Sequence, residues 1–134
     1  MINLSNTTPA AIDGGTNVSW QSDASGNVSA YVATVKQTTA IVANAVTFDA
    51  SVASSFLVAV TSAITTMTIT NPTDAQEITI LFQQDGSGHA VTLATNMLGC
   101  TPVTTTASTS SIYKLSYNVG DTNWYCISSN VNIS

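Results

Sequence analysis

Few residues in this sequence can do covalent chemistry: one histidine (His89), two cysteines (Cys100 and Cys126), two lysines (Lys36 and Lys114) and seven carboxylates. A serine or cysteine nucleophile needs a base within reach. The single histidine follows Asp85-Gly86-Ser87-Gly88, a turn sequence that predicts a solvated residue at the start of a return strand. Glycoside hydrolysis needs two acids facing one cleft. Asp23, Asp74, Asp85 and Asp121 instead fall in turn sequences, where aspartate shapes the backbone. Asp13 lies in an N-terminal segment, Asp49 follows a strand pattern and Glu77 sits on one. No dense Asp/Asn run resembles a calcium loop, and the cysteines lack CxxC spacing or a metal-binding partner. No catalytic residue, metal site or cofactor is expected. The cysteines read as two small buried apolar residues, or as a bridge tying a loop to a late strand. Trp20, Tyr31, Tyr113, Tyr117, Trp124 and Tyr125 could stack on sugar rings. Tyr113 and Tyr117 share a face with Leu115, however, which points to core packing.

The elements that would position these residues are strands. In residues 45–48, Val46 and Phe48 point one way, and in residues 64–70 Met67 and Ile69 do the same. Phe56-Leu57-Val58-Ala59-Val60 is a short unbroken apolar run, suited to a strand covered on both faces. Asn71-Pro72-Thr73-Asp74 ends a strand. Ile78, Ile80 and Phe82 then point inward, and Val91 and Leu93 follow on a return strand. Tyr113, Leu115 and Tyr117 share a face, and Trp124 and Cys126 oppose Tyr125 and Ile127. About seven such strands at regular spacing predict an all-β fold with an antiparallel β-sandwich or jelly-roll-like body over residues 45–134. Residues 1–34 read as an extended N-terminal arm and one hairpin, and such a hairpin is marginal alone in water. Residues 35–44 have no clear period and stay open between linker, short strand and helical turn.

Composition narrows the function. The 134 residues suffice for one domain with an arm. Only 7% are charged, against roughly 25% in an average soluble protein. With no arginine, two lysines and a formal charge of −5, contact with nucleic acid or an anionic membrane is not expected. Hydroxyls take the place of charge, with 22 Thr and 17 Ser, and such a surface suits a protein packed among copies of itself. The start lacks the basic and apolar regions of a signal peptide, so synthesis in a cytoplasm is expected.

The stretch Asn71-Pro72-Thr73-Asp74-Ala75-Gln76-Glu77-Ile78-Thr79-Ile80, with Gln84-Asp85-Gly86-Ser87-Gly88 and the closing Gly120-Asp121-Thr122-Asn123-Trp124-Tyr125, resembles a β-module of bacteriophage virion structural proteins. Ala75 stands where that module often has glycine, and no tryptophan follows Val91-Thr92. The opening Ile2-Asn3-Leu4-Ser5, Pro9-Ala10-Ala11 and Asn17-Val18-Ser19-Trp20-Gln21, ending in Asp23-Ala24-Ser25-Gly26-Asn27-Val28-Ser29-Ala30-Tyr31-Val32, is similar to the start of phage structural proteins. The resemblance implies a virion component without catalytic residues. Two forms fit it: a capsid decoration (cement) protein, usually a homotrimer bound to the major capsid protein, and a tail, baseplate or short fibre component with a receptor- or carbohydrate-binding role. A fibre shaft needs a coiled coil or sequence repeats. The sequence carries neither, which favours decoration. Ile2, Leu4, Pro9, Trp20 and Tyr31 are the expected anchoring contacts of the arm.

Overall fold

The computed structural model describes residues 18–22, 25, 28–32 and 36–134. The chain divides into two compact units, residues 1–35 and 36–134. In the first, β1 (Val18–Ser22) and β2 (Val28–Val32) pair antiparallel, with Trp20 opposite Ala30 and Ser19 opposite Tyr31.

The second unit contains β3 (Lys36–Thr38), β4 (Ala45–Asp49), β5 (Ser55–Val60), β6 (Thr66–Thr70), β7 (Glu77–Gln84), β8 (Met97–Leu98), β9 (Ser110–Asn118) and β10 (Asn123–Ile133). There is no helix among the described residues, and the all-β expectation holds. Of the alternatives for residues 35–44, a short strand is what Lys36–Thr38 forms, paired in parallel with β5.

Strand direction departs from the expectation of antiparallel pairing. One sheet has the order β3-β5-β7-β9-β10-β8, and a second pairs β4 with β6. β3, β5 and β7 run parallel, as do β4 and β6. Within the second unit, antiparallel pairing of strands is confined to β7–β9–β10, and β8 adds a two-residue parallel pair on β10. The chain therefore alternates between the sheets and returns to each after roughly twenty residues, as in a coil of stacked strands. Parallel neighbours need a crossover connection, usually a helix; here a strand of the opposite sheet supplies it. Alternation in sequence reports which face a residue takes and is blind to the direction of the neighbouring strand.

Residues 89–93 also differ from the expected return strand. The antiparallel partner of β7 is β9, and residues 89–93 instead meet Ile64 through a parallel bridge at Val91. The Asp85-Gly86-Ser87-Gly88 turn does form, with the Asp85 carboxylate accepting the Ser87 and Gly88 N–H groups at 2.8 and 3.2 Å. Gly88 has φ 71°, and a Cβ there would run into the Thr105 carbonyl oxygen, so only glycine fits. Gln84, 6% exposed, locks the turn. Its Nε2 donates to the His89 and Thr104 carbonyls at 2.8 and 2.6 Å, and its Oε1 accepts the His89 N–H at 2.8 Å. These bonds direct the chain away from β7.

The core lies between the sheets. Val46 and Phe48 of β4 and Met67 and Ile69 of β6 stack in register and face Phe56, Val58, Ile78, Ile80 and Phe82. The Phe48 ring centroid lies 5.0 Å from Phe56 and 6.3 Å from Phe82, and Phe82 lies 5.9 Å from Tyr113. Trp124 and Tyr117 close the core 4.9 Å apart. Ala75, which departs from the glycine of the resembling module, has φ 59°, a conformation in which glycine carries no Cβ penalty.

Candidate functional site

Four of the aromatics considered for sugar stacking are placed side chain by side chain. Tyr113 and Trp124 are fully buried and Tyr117 nearly so, which makes them core residues. Tyr125 is exposed, and its hydroxyl donates to the Asp121 carboxylate at 2.5 Å. Burial pushes the Tyr113 hydroxyl up to about 12, and it donates to the Thr101 carbonyl at 2.9 Å.

The carboxylates of the second unit are turn and edge groups. The Asp49 Oδ1 accepts the Ser51 N–H and hydroxyl and the Asn71 side-chain amide, at 3.0, 2.6 and 3.1 Å. Asp74 accepts the Val119 N–H at 3.1 Å. Asp85 lies 3.2 Å from the His89 ring, so this histidine is partnered and not merely solvated. Among the described residues no three His, Cys, Asp or Glu side chains gather as a metal site.

These hydrogen bonds hold three carboxyls below the usual range. For Asp49 the Ser51 hydroxyl and the Asn71 amide lead, for Asp85 the Ser87 N–H, and for Asp121 the Tyr125 hydroxyl. A lowered folded pKa contributes stability that is present above the unfolded value of about 3.8–3.9 and is lost as pH falls through the folded value. Urea midpoints measured from pH 5 to pH 2 are expected to fall below about pH 4. The fall should be shallower in Asp49→Asn. An unchanged slope in that variant counts against the Ser51 and Asn71 bonds.

The cysteines are paired. Cys100 and Cys126 form a disulfide with Cα atoms 5.2 Å apart, so of the two readings left open for them the bridge between a loop and a late strand is the one formed. The parallel pairing of β8 with β10 brings the loop after β8 alongside β10, a juxtaposition that residue spacing does not reveal.

Of the expected anchors, Ile2, Leu4 and Pro9 lie outside the described residues. Trp20 pairs with Ala30 and Tyr31 with Ser19 in the register of the hairpin.

The surface that stands out is the outward face of the six-stranded sheet. Leu57, Leu81 and Ile112 form one register row across β5, β7 and β9. All three are half-buried and lie outside the core. The row on one side is Lys36, Ser55, Thr79 and Lys114. The row on the other is Ala59, Gln83, Ser110 and Ile133. One row beyond the lysines, Glu77 lies 3.2 Å from Lys114, and Tyr125 and Leu98 stand exposed as a register pair. Both lysines of the chain thus share this face with one carboxylate, Glu77. The other described carboxylates are all aspartates in turns or at strand ends. Sequence reasoning read the run Phe56-Leu57-Val58-Ala59-Val60 as covered on both faces but did not join it to the triplet Ile80-Leu81-Phe82, which carries the same signal, or to Ile112 as one row.

No family model and no curated protein matches this sequence. A solved structure described as "Structure of a chaperone-substrate complex" aligns with 87% of this chain and 20% of its own, at 16% identity and a TM-score of 0.51. The likeness is one of fold alone. This chain spans 20% of the length of that one.

Proposed function

We propose that this chain is a non-enzymatic structural protein of a bacteriophage particle. It is made in the host cytoplasm and sits on the outer surface of the virion. Its role is that of a capsid decoration protein, which binds as a trimer across junctions of the major capsid protein and ties neighbours together. The body is read as a two-layer β-sandwich, in keeping with the facing of the two sheets through Phe48, Phe56 and Phe82. The observation that carries the proposal is the outward sheet face. It offers an apolar row in a chain with almost no ionic groups, as retention by buried surface requires. The virion motifs quoted above supply the setting. Residues 1–34, with Ile2, Leu4, Pro9, Trp20 and Tyr31, are the proposed attachment arm.

One observation favours a second reading, a tail, baseplate or short fibre component. The parallel stacking of β3-β5-β7 and β4-β6 is shaft-like geometry built without a sequence repeat.

Imaging of particles separates the two. Decoration predicts hundreds of copies spread over the capsid lattice. A handful at the tail establishes the second reading, and absence from particles overturns both. Deleting residues 1–34 is expected to abolish particle binding while circular dichroism still reports a β fold. Full binding by the truncated chain removes the arm from the proposal.

A further inference from the structure

The segment after β8, residues 99–106, is a strap. Among the described residues it makes no backbone-to-backbone hydrogen bond. Side chains hold it instead. The Tyr113 hydroxyl donates to the Thr101 carbonyl at 2.9 Å, and the Ser129 hydroxyl to the Thr101 Oγ1 at 3.0 Å. The Gln84 Nε2 donates to the Thr104 carbonyl at 2.6 Å, the Thr104 N–H donates to the Ser111 Oγ at 3.2 Å, and Thr104 is also bonded to Asn132. Val103 is buried beneath these contacts. The Cys100–Cys126 bridge is the one covalent tie.

The two sulfurs are brought together by contacts that do not need the bridge. On one side of them β8 and β10 pair Leu98 with Tyr125, and on the other Ser129 meets Thr101. Both cysteines are half-buried, and Leu98, Gly99, Thr101, Tyr125 and Ile127 around them are exposed. A small thiol or disulfide in solution can therefore reach the pair. A disulfide fits poorly with synthesis in a reducing cytoplasm, where protein thiols are kept reduced. The two agree if the fold comes first and the bridge second.

We infer that the Cys100–Cys126 bridge is a redox-operated clip: the second unit folds with both thiols free in a reducing compartment, and the bridge closes on the folded chain in an oxidising one. This rests on the cytoplasmic synthesis in the reading above and adds a step that follows release.

The oxidant is a low-molecular-weight disulfide, RSSR. One cysteine loses its proton and attacks a sulfur of RSSR, forming a mixed disulfide and expelling RS⁻, which takes up a proton. The second cysteine loses its proton and attacks the protein sulfur of that mixed disulfide. The Cys100–Cys126 bond forms, and a second RS⁻ leaves and is protonated. Two electrons pass from the cysteine pair to RSSR, which ends as two RSH. Run backwards by excess thiol, the same exchange keeps the clip open. Linkage is reciprocal: what the bridge adds to the fold, the fold adds to the bridge. For a sequence separation of 26 the chain-entropy relation makes that roughly 400-fold in the closure constant.

The test uses the full chain expressed in a reducing cytoplasm, with thiols blocked by a maleimide at lysis and counted by mass. Both cysteines are expected to carry the label. Protein purified under dithiothreitol is expected to show a β circular dichroism spectrum and a cooperative urea transition. Glutathione disulfide then closes the bridge, raises the urea midpoint and leaves the spectrum unchanged. Equilibrated with glutathione in concentrated urea, the closure constant is expected to fall by the factor above relative to native buffer. A bridge already closed at lysis, a reduced chain without a cooperative transition, or equal closure constants in the two solvents overturns the inference. Particle imaging stands apart from this result. Absence from particles removes the virion reading and leaves the clip, whereas a bridge closed at lysis removes the clip and leaves the virion reading.

Discussion

Phe48→Ala is expected to lower the free energy of unfolding by about 4 kcal/mol. Phe48 is 0% exposed and belongs to the two-stranded sheet, yet its ring contacts Phe56 and Phe82 of the six-stranded one, at centroid distances of 5.0 and 6.3 Å. It is therefore the side chain through which the two layers grip each other. Its removal loses the transfer free energy of the ring, the tilted contact with Phe56 and the edge-on contact with Phe82, and the dispersion contacts of the walls around the void. The sheets cannot readily collapse into that void, because each strand is held at its register by ladder hydrogen bonds to its neighbour. Against a typical stability of roughly 5–15 kcal/mol, the loss is large enough to shift a urea midpoint without leaving the measurable range. Phe48→Leu, which keeps most of the volume, is expected to cost less than half as much. A Phe48→Ala loss near ~1 kcal/mol would mean that the layers are held elsewhere.

How much of this was legible in the sequence follows from what each signal encodes. The inward faces of β4, β6, β7 and β9 were readable because period-two alternation marks burial directly: Val46 and Phe48, Met67 and Ile69, Ile78, Ile80 and Phe82, and Tyr113, Leu115 and Tyr117 are all buried. The same signal set Trp124 opposite Tyr125 and Ile127 without saying which face was inside, and the structure buries the first and exposes the other two. Pairing direction was not readable, because a strand looks the same beside a parallel or an antiparallel neighbour. The coil of β3-β5-β7 over β4-β6 therefore passed for a set of antiparallel strands.

The Asp85-Gly86-Ser87-Gly88 turn was read correctly as a turn and wrongly as a hairpin. What redirects the chain is Gln84, a buried side chain whose bonds reach from His89 to Thr104, twenty residues apart from it on one side. Contacts of that span leave no local trace. The outward row was half legible. Leu57 and Leu81 sit inside apolar triplets, but Ile112 lies between Ser111 and Tyr113 and looks like any alternating position. Only the register Leu57–Leu81–Ile112 turns three separate residues into one surface.

Opening the Cys100–Cys126 bridge is expected to cost about 3.5 kcal/mol, from the closure entropy of a loop with sequence separation 26. Whether a native response adds to or subtracts from that figure depends on what else holds the loop. Here several bonds do. The Thr101 carbonyl accepts the Tyr113 hydroxyl at 2.9 Å, the Ser129 hydroxyl donates to the Thr101 Oγ1 at 3.0 Å, and Thr104 is hydrogen-bonded to Asn132. With these in place the loop keeps its path when the bridge is absent, so the loss falls mainly on the unfolded chain, which gains freedom. The double variant Cys100→Ala/Cys126→Ala, compared with wild type in urea without reductant, is expected to lose the full amount with little change in circular dichroism. Adding dithiothreitol should lower the midpoint of the wild type and leave that of the variant unmoved. Quantitative alkylation of both thiols in unreduced, denatured wild type would show that the bridge does not form, and the expected difference between the two proteins would vanish with it.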